Sequence, residues 1–474
     1  MASERLPALL GLPEKDAFAH DCLERAASAS LSGQERLEAL GALLRERRAE
    51  RAGGTAVPPA SREVNNHVHT IYSFSPYTPS MAAYRARAAG LAAAGSVDHD
   101  SIAAAEEMLG ASALLGIGAT VGFEIRVSFR DSPFADRKIN NPDSTGIVYM
   151  TVQGLPRAAF GAARDFLKPI ARARGERNRR MTKAIAARLE EAGYRSIDYD
   201  RDVLPLSKAT EGGSVTERHI LAAAATSMIE RHGKGSALVE GIGRCLGLVC
   251  PPRVAAWLSD SDNAHYLFDL LGLLKTGFLE SVFEQPGAAE CVPASEAVAF
   301  ALRAGAIPAY AYLGDIADSP TGDKKAEKFE DEFLDELIPY LADLGYRAIA
   351  YMPPRNSAAQ LARLRGLCSR AGLMEISGVD INSSRQSFNC AEVLDPAMTH
   401  LVDATWALIA HERLSGIDPR FGLFAADNPL ASMPIAGRIE SYGTFGRSLK
   451  STDPDDRATL SRFARELEKH HGNA

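Results

Sequence analysis

The sequence lacks three features that would place it in a broad class at once. Its six cysteines among 474 residues form no Cys-x-x-Cys pair, which argues against a disulfide framework and a thiolate zinc site. No apolar run approaches the ~18 residues of a membrane span, and the opening MASERLPALL is too weakly apolar for a signal peptide. A formal net charge of −7 argues against a protein that mainly coats nucleic acid, because such binding neutralises phosphates. We therefore expect a cytoplasmic protein with reduced thiols, no membrane partner and no strong nucleic-acid binding.

The sequence does contain short apolar runs that alternate with amphipathic helical patterns. With 46% hydrophobic and 24% charged residues, the composition is that of a globular chain. The alternation begins at Glu63, is interrupted by a mainly helical stretch, and resumes after Pro293. Nearly continuous apolar strands are typical of a parallel sheet buried on both faces. Their number and their alternation with helices favour a parallel α/β barrel.

Changes in the hydrophobic pattern along the chain predict five segments. The first is helical, with a capping box at Ser32 and Glu35 and a stop at Gly53-Gly54. The last is a single amphipathic helix that could pack on the barrel or support a homo-oligomer. The predicted segments are an N-terminal helical segment (1–62), a first barrel segment (63–156), a helical insertion (157–290), a second barrel segment (291–450) and a C-terminal helix (451–474).

Polar residues recur at the predicted carboxyl ends of the strands, which meet on one face of a parallel barrel. The period of two in a strand puts His67 and His69 on the same side. Each motif alone has another explanation, since Asp-His-Asp can cap a helix and a glutamate in a strand can face solvent. Their recurrence favours a metal site, because imidazole and carboxylate are ligands of zinc, manganese and iron. The residues concerned are His67, His69, His99, Asp100, Glu124, Asp315, Asp380 and Asn382.

The order of these motifs resembles that of the polymerase and histidinol phosphatase (PHP) family of metal-dependent phosphoesterases. The motifs are HVHT, SVDHD, GFE and GVDIN, and the resemblance extends over residues 63 to 392. A run from RNRRMTKAI to TERHIL resembles the helical insert of stand-alone members that hydrolyse small phosphate esters. The resemblance implies a distorted seven-stranded α/β barrel, two or three divalent ions and a hydroxide that attacks phosphorus. It also implies metal ligands and a histidine near the substrate, namely His67, His69, His99, Glu124 and Asp380 as ligands and His219 beside the substrate.

Four positions depart from the family pattern. One of them is Phe74, which stands where the family has an aspartate ligand. Since phenylalanine donates no lone pair, we predict one or two ions rather than three. Asp100 and Asp315 could supply substitute oxygens, which would shift the preference from zinc toward manganese or magnesium. The departures are Phe74 in place of an aspartate, Tyr149 or Met150 in place of a histidine, and Tyr312 and Asn382 in place of two further histidines.

These observations predict a metal-dependent phosphoesterase that acts on a small phosphorylated or nucleotide-like substrate. Two other functions stay open: hydrolysis of a C–N or C–O bond by the same activated water, and metal or ligand binding without turnover. Our candidates for catalysis are His99, Asp100 and His219. Guanidinium groups suit phosphate because they make planar, paired hydrogen bonds. The candidates for substrate binding are Arg177, Arg180, Arg218, His219, Asn382 and Arg385.

Overall fold

Seven strands form one sheet whose order follows the chain. The computed structural model describes residues 16–51, 61–316, 328–449 and 457–471. The predicted stop at Gly53-Gly54 and the outer parts of both terminal segments lie outside these residues. Most strands lie in apolar runs of the sequence, whereas the first strand, VNNHV, has polar residues at its three central positions. The strands are β1 (Val64–Val68), β2 (Ala93–His99), β3 (Gly118–Ser128), β4 (Ile147–Gln153), β5 (Ile307–Ala311), β6 (Ala348–Tyr351) and β7 (Met374–Ser377).

The sheet departs from the predicted all-parallel barrel at one strand. β4 runs antiparallel to both β3 and β5, whereas the other neighbouring strands are parallel. A parallel return needs a long crossover, usually a helix, and the connection from β3 to β4 contains none. Gly122 permits the close approach of β4, since a Cβ there would lie 1.9 Å from the carbonyl oxygen of Val152. The fold is therefore a mixed α/β barrel.

The barrel closes where the chain beyond β7 meets β1. The backbone N–H of His69 donates to the Ile381 carbonyl at 2.9 Å, and the N–H of Ile381 donates to the His67 carbonyl at 3.0 Å. The side-chain amide of Asn66 donates to the Ser377 carbonyl at 2.9 Å and to the Thr405 hydroxyl at 2.8 Å. Side-chain amides therefore replace part of the backbone ladder between the first and last strands.

Replacing Asn66 with alanine should lower the free energy of unfolding by about 1–3 kcal/mol, because a buried carbonyl and a buried hydroxyl lose their donor. Urea unfolding measures this change. Asn389 is a matched control, since its amide also makes two hydrogen bonds but the residue is exposed. Equal losses in Asn66→Ala and Asn389→Ala would show that Asn66 does not hold the barrel closed.

Fifteen α-helices lie within the described residues, together with short 3-10 and π turns. None of them is long and apolar enough to cross a membrane. All six cysteines are free, and Cys245 and Cys250 are partly exposed. The helices are α1 (Ala17–Ala27), α2 (Gly33–Arg51), α3 (Pro79–Ala88), α4 (Ala105–Leu115), α5 (Phe160–Glu191), α6 (Glu217–His232), α7 (Ser236–Leu246), α8 (Pro252–Ser259), α9 (Tyr266–Leu274), α10 (Ala294–Arg303), α11 (Leu334–Leu344), α12 (Ala358–Ala371), α13 (Thr399–Ser415), α14 (Ile435–Ser448) and α15 (Arg457–His471).

The core is divided among separate apolar clusters. The largest lies around the sheet, and a second is built by residues of the predicted insertion between Met181 and Leu279. At the N-terminal end, the predicted capping box is present, because the Glu35 carboxylate accepts from the Ser32 N–H at 2.8 Å. Arg36 is fully buried and donates to the Glu107 carboxylate at 2.9 and 2.6 Å. A buried ion pair therefore docks α2 onto α4.

Candidate metal centre

Barrel closure brings His67, His69 and Asp380 together. His67 lies in β1 and His69 directly follows it, while Asp380 precedes Ile381 in the segment that pairs with β1. The segment must pass very near His67, because a Cβ on Gly378 would lie 2.5 Å from the His67 Cβ. The glycine of the GVDIN motif is thus required for this approach. His69 Nε2 lies 3.3 Å from Asp380 Oδ1.

Strand register brings His99 and Glu124 to the same place. The two residues are direct partners in the β2–β3 ladder. His99 Nδ1 lies 2.9 Å from Glu124 Oε2, and the Nε2 atoms of His67 and His69 each lie 3.7 Å from a Glu124 oxygen. Two overlapping groups result, His67–His69–Asp380 and His69–His99–Glu124, and the ligand atoms within each group lie within 4.8 Å of one another. His69 belongs to both.

The five side chains suit a divalent ion. The Nε2 atoms of His67 and His69 are buried and have no hydrogen-bond partner among the described residues. A buried imidazole nitrogen without a partner costs free energy unless an ion or a water molecule binds it. Ligands at 2.0–2.1 Å in a tetrahedron lie about 3.3 Å apart, which is close to the 3.3 Å separation of His69 and Asp380. Imidazole and carboxylate donors fit zinc, manganese or iron.

The charges of these groups also favour a cation. Burial and the neighbouring His99 lower the pKa of His69 to about 3, so its ring is neutral at pH 7. Burial raises the pKa values of Glu124 and Asp380, but the facing histidines outweigh burial and hold both below their usual range. For His67, Glu124 outweighs burial and raises the pKa. Because an ion must displace that proton, metal affinity should fall as the pH drops.

Asp98 orients His69 through Ser73. The buried Asp98 carboxylate accepts from the Thr70 N–H at 2.6 Å and from the Ser73 hydroxyl at 2.5 Å. Since Ser73 donates to Asp98, it can only accept from His69 Nδ1, which lies 3.3 Å away. That contact puts the proton on Nδ1 and leaves the lone pair of Nε2 facing the carboxylates. The sequence pattern gave no role to Ser73.

The start of α6 faces the same end of the barrel. Arg218 donates to the Asn382 carbonyl at 2.8 Å, two residues beyond Asp380. His219 Nδ1 accepts the backbone N–H of Thr216 at 2.9 Å, as part of the helix cap. Because Nδ1 is an acceptor, the ring carries its proton on Nε2. Burial lowers the pKa of His219 to about 3, so His219 is a neutral hydrogen-bond donor at pH 7.

A buried ionic network joins α5 and α6 to the barrel beside the centre. Its hub is Glu217, which accepts from Arg126, Arg174 and Arg177. Glu290 binds Arg126 and Arg177, and Asp100 binds Arg174 at 2.7 Å. Three guanidinium groups therefore face three carboxylates. Sequence reasoning missed Glu217 and Glu290, because nothing in their local pattern distinguishes them from surface carboxylates.

Several predicted site residues pair with partners outside the two ligand groups. Arg177 belongs to the buried network, Arg180 is exposed and pairs with Glu284, and Arg385 makes a paired contact with Asp269 of α9. Asp100 pairs with Arg174. Asp315 lies outside both ligand groups found in the described residues, and its side chain accepts from the Phe329 N–H.

The departures from the family pattern also have structural roles. Asn382 donates its amide to both oxygens of Asp380 at 2.7 and 2.8 Å, and Tyr312 donates to Asp331. Tyr149 packs near His99, with ring centres 5.9 Å apart. Phe74 has φ +74°, and within the described residues it shares a positive φ outside glycine only with Asp100. A positive φ is uncommon outside glycine, and both residues lie in the segments that follow strands β1 and β2.

No family model and no curated protein matches the chain. Among solved structures, the chain is similar to a protein from Bifidobacterium adolescentis with the provisional description metal-dependent phosphoesterase, at 18% identity and a TM-score of 0.45. That match covers 72% of this chain and 97% of the other. A second match is an amidohydrolase from Chromobacterium violaceum, solved with bound sulfate and no metal, at 19% identity and a TM-score of 0.43. It covers 69% of this chain and 90% of the other.

Proposed function

We propose that the protein is a metal-dependent hydrolase of the PHP type that cleaves a small phosphate ester. The observation that carries the proposal is the pair of buried, unpartnered Nε2 atoms of His67 and His69, which face the carboxylates of Glu124 and Asp380. These four residues would hold one ion, and His99 would complete a second. When bound, a divalent ion supplies a Lewis acid and a water of lowered pKa.

The remaining residues bind the substrate and move protons. Arg218 offers guanidinium N–H groups to phosphoryl oxygens, and His219 offers its Nε2–H to another substrate oxygen. In the reaction, the oxygen of water forms the new P–O bond, the ester P–O bond breaks, and the departing alkoxide takes a proton. His99 is the most exposed of the three histidines, with 22% of its side chain accessible. It is our candidate for that proton transfer when the other four residues hold a single ion.

Phosphate is favoured over a C–N or carboxylic C–O substrate because of Arg218. Its position beside Asp380 puts a cation where a neutral amide or carboxylic ester needs none. An anionic phosphoryl group offsets the cost of keeping that guanidinium partly buried. Binding without turnover is the remaining alternative, and a hydrolysis assay decides it.

The test is hydrolysis by protein loaded with manganese, zinc or magnesium. We expect phosphate release from phosphomonoesters or phosphodiesters and no cleavage of matched amides and carboxylic esters. Cleavage of amides alone would replace this proposal with the C–N alternative. Metal binding without any hydrolysis would make the protein a binding protein.

Arg218→Met should lower kcat/KM for a phosphate ester by about tenfold to a hundredfold, since hydrogen bonds to a charged group are worth about 1.5–3 kcal/mol. Arg218→Lys keeps the charge but loses the planar fork, so we expect an intermediate rate. Steady-state kinetics of the metal-loaded variants measure both. Equal rates in Arg218→Met and wild type would remove the phosphate-binding role.

A further inference from the structure

The cations around the centre leave only limited positive charge for a substrate. Arg126, Arg174 and Arg177 are bound to the carboxylates of the buried network, and Arg385 is bound to Asp269. Arg218 differs from these four, because no carboxylate lies within ion-pair distance of it in the described part of the chain.

Arg218 has hydrogen-bonding capacity to spare. A guanidinium carries five N–H donors, and Arg218 uses one of them, on the Asn382 carbonyl. Its remaining donors have no partner among the described residues, and none of its nitrogens belongs to the buried, unsatisfied atoms. They are therefore reachable and suit one phosphoryl group bound through two parallel hydrogen bonds. A second phosphate, with its charge of about −1.5 to −2, would find no comparable partner.

A pair of aromatic rings adjoins His219, the residue that follows Arg218 in the chain. The Phe74 ring meets the His219 ring edge-on, with centres 4.8 Å apart, and lies 5.9 Å from the Phe268 ring of α9. Both phenylalanines are only partly buried. Phe74 is also next to Ser73, which contacts His69. A positive φ is strained for phenylalanine, and the fold holds this side chain against the insertion despite that strain.

We infer that the substrate carries a single phosphoryl group on an alcohol with an aromatic or bulky apolar group, which packs against Phe74 and Phe268 while Arg218 binds the phosphoryl group. The inference rests on the proposed function, and it names the substrate class of the same site.

Binding of phosphonates to the metal-loaded protein tests the inference without turnover. Isothermal calorimetry would compare ethylphosphonate, benzylphosphonate and 1,4-xylylenediphosphonate. We expect benzylphosphonate to bind about tenfold more tightly than ethylphosphonate, because its ring adds apolar burial and aromatic contacts to the same phosphonate group. The bisphosphonate should gain nothing over benzylphosphonate. Equal binding of ethyl- and benzylphosphonate, or tenfold tighter binding of the bisphosphonate, would overturn the inference.

The variant Phe74→Gly tests whether the Phe74 ring causes the preference for benzylphosphonate. Glycine adopts a positive φ without strain, so the substitution removes the ring and keeps the loop conformation accessible. The ratio of benzyl- to ethylphosphonate affinity should fall toward one. Leu267→Ala on the same helix as Phe268 is the matched control, since Leu267 is exposed and its loss should preserve the ratio. An unchanged ratio in Phe74→Gly would exclude Phe74 from the substrate wall.

Steady-state kinetics distinguish the proposed phosphoesterase function from the inferred aromatic substrate class. Benzyl and ethyl phosphate release alcohols of similar acidity, so a difference in kcat/KM reports binding by the protein. Hydrolysis of both at equal rates would sustain the proposed function and overturn the aromatic substrate class. Failure to hydrolyse either one, while benzylphosphonate still binds preferentially, would overturn the proposed function and leave the ligand class supported.

Discussion

Replacing His69 with alanine should abolish metal binding and lower the proposed phosphoesterase activity by about a thousandfold or more. His69 belongs to both ligand groups, so its loss leaves neither group with three ligands. A Lewis acid contributes several kcal/mol of charge stabilisation in the transition state, which corresponds to about that factor in rate. Elemental analysis of protein purified without chelator measures the metal. We expect roughly one or more equivalents in wild type and almost none in the variant.

His232→Ala is the matched control for His69→Ala. His232 lies at the end of α6 and contacts Tyr194 within the insertion, so its loss should change neither metal content nor rate. Circular dichroism and thermal melting distinguish a lost ligand from a lost fold. If His69→Ala retained its metal and its rate, the centre would lie elsewhere even if the reaction class were right.

Replacing Glu217 with alanine should lower the free energy of unfolding by about 3–5 kcal/mol, because it leaves three buried guanidinium groups facing two carboxylates. Burial raises the pKa of Glu217, but Arg174, Arg126 and Arg177 outweigh burial and hold it well below the usual range. The carboxylate is thus ionised at pH 7, and the alanine variant removes this negative charge from the three arginines. Urea unfolding would measure the change.

Glu284→Ala provides the comparison, since it removes the exposed partner of Arg180 on α5. An exposed ion pair is worth about 0–1 kcal/mol, so the two variants should differ clearly. Glu217→Gln keeps the shape without the charge and should fall between wild type and Glu217→Ala. A loss below 1 kcal/mol in Glu217→Ala would mean that the network does not hold the insertion against the barrel.

Much of the fold was accessible from the sequence, because apolar runs and helix caps are local signals. The alternation of strands and helices from Glu63 onward and the Ser32–Glu35 cap were predicted, and both are present in the structure. The direction of β4 was not, since it depends on the missing crossover helix between β3 and β4. The patterns of a buried parallel and a buried antiparallel strand are the same, so periodicity could not distinguish them.

The candidate site was also predictable from the sequence only in part. The types and the strand positions of His67, His69, Glu124 and Asp380 are sequence properties, and they predicted a cation-binding end of the barrel. Only the tertiary structure decided which side chains meet there. The pairing of Ile381 with β1 brings Asp380 to the histidines, whereas Asp315 turns to the Phe329 backbone.

The sequence by itself determined where strands and helices alternate, and it placed a set of imidazole and carboxylate groups at strand ends. The tertiary structure decided which charged groups pair with one another. Arginines that look alike in the sequence divide into Arg177 and Arg385, each paired with a carboxylate distant in the chain, and Arg218, which forms no ion pair with any residue that the structure describes. The physical reason is that an ion pair depends on the distance between two groups in space. In the pairs Arg177–Glu290 and Arg385–Asp269, the two residues lie more than a hundred positions apart along the chain.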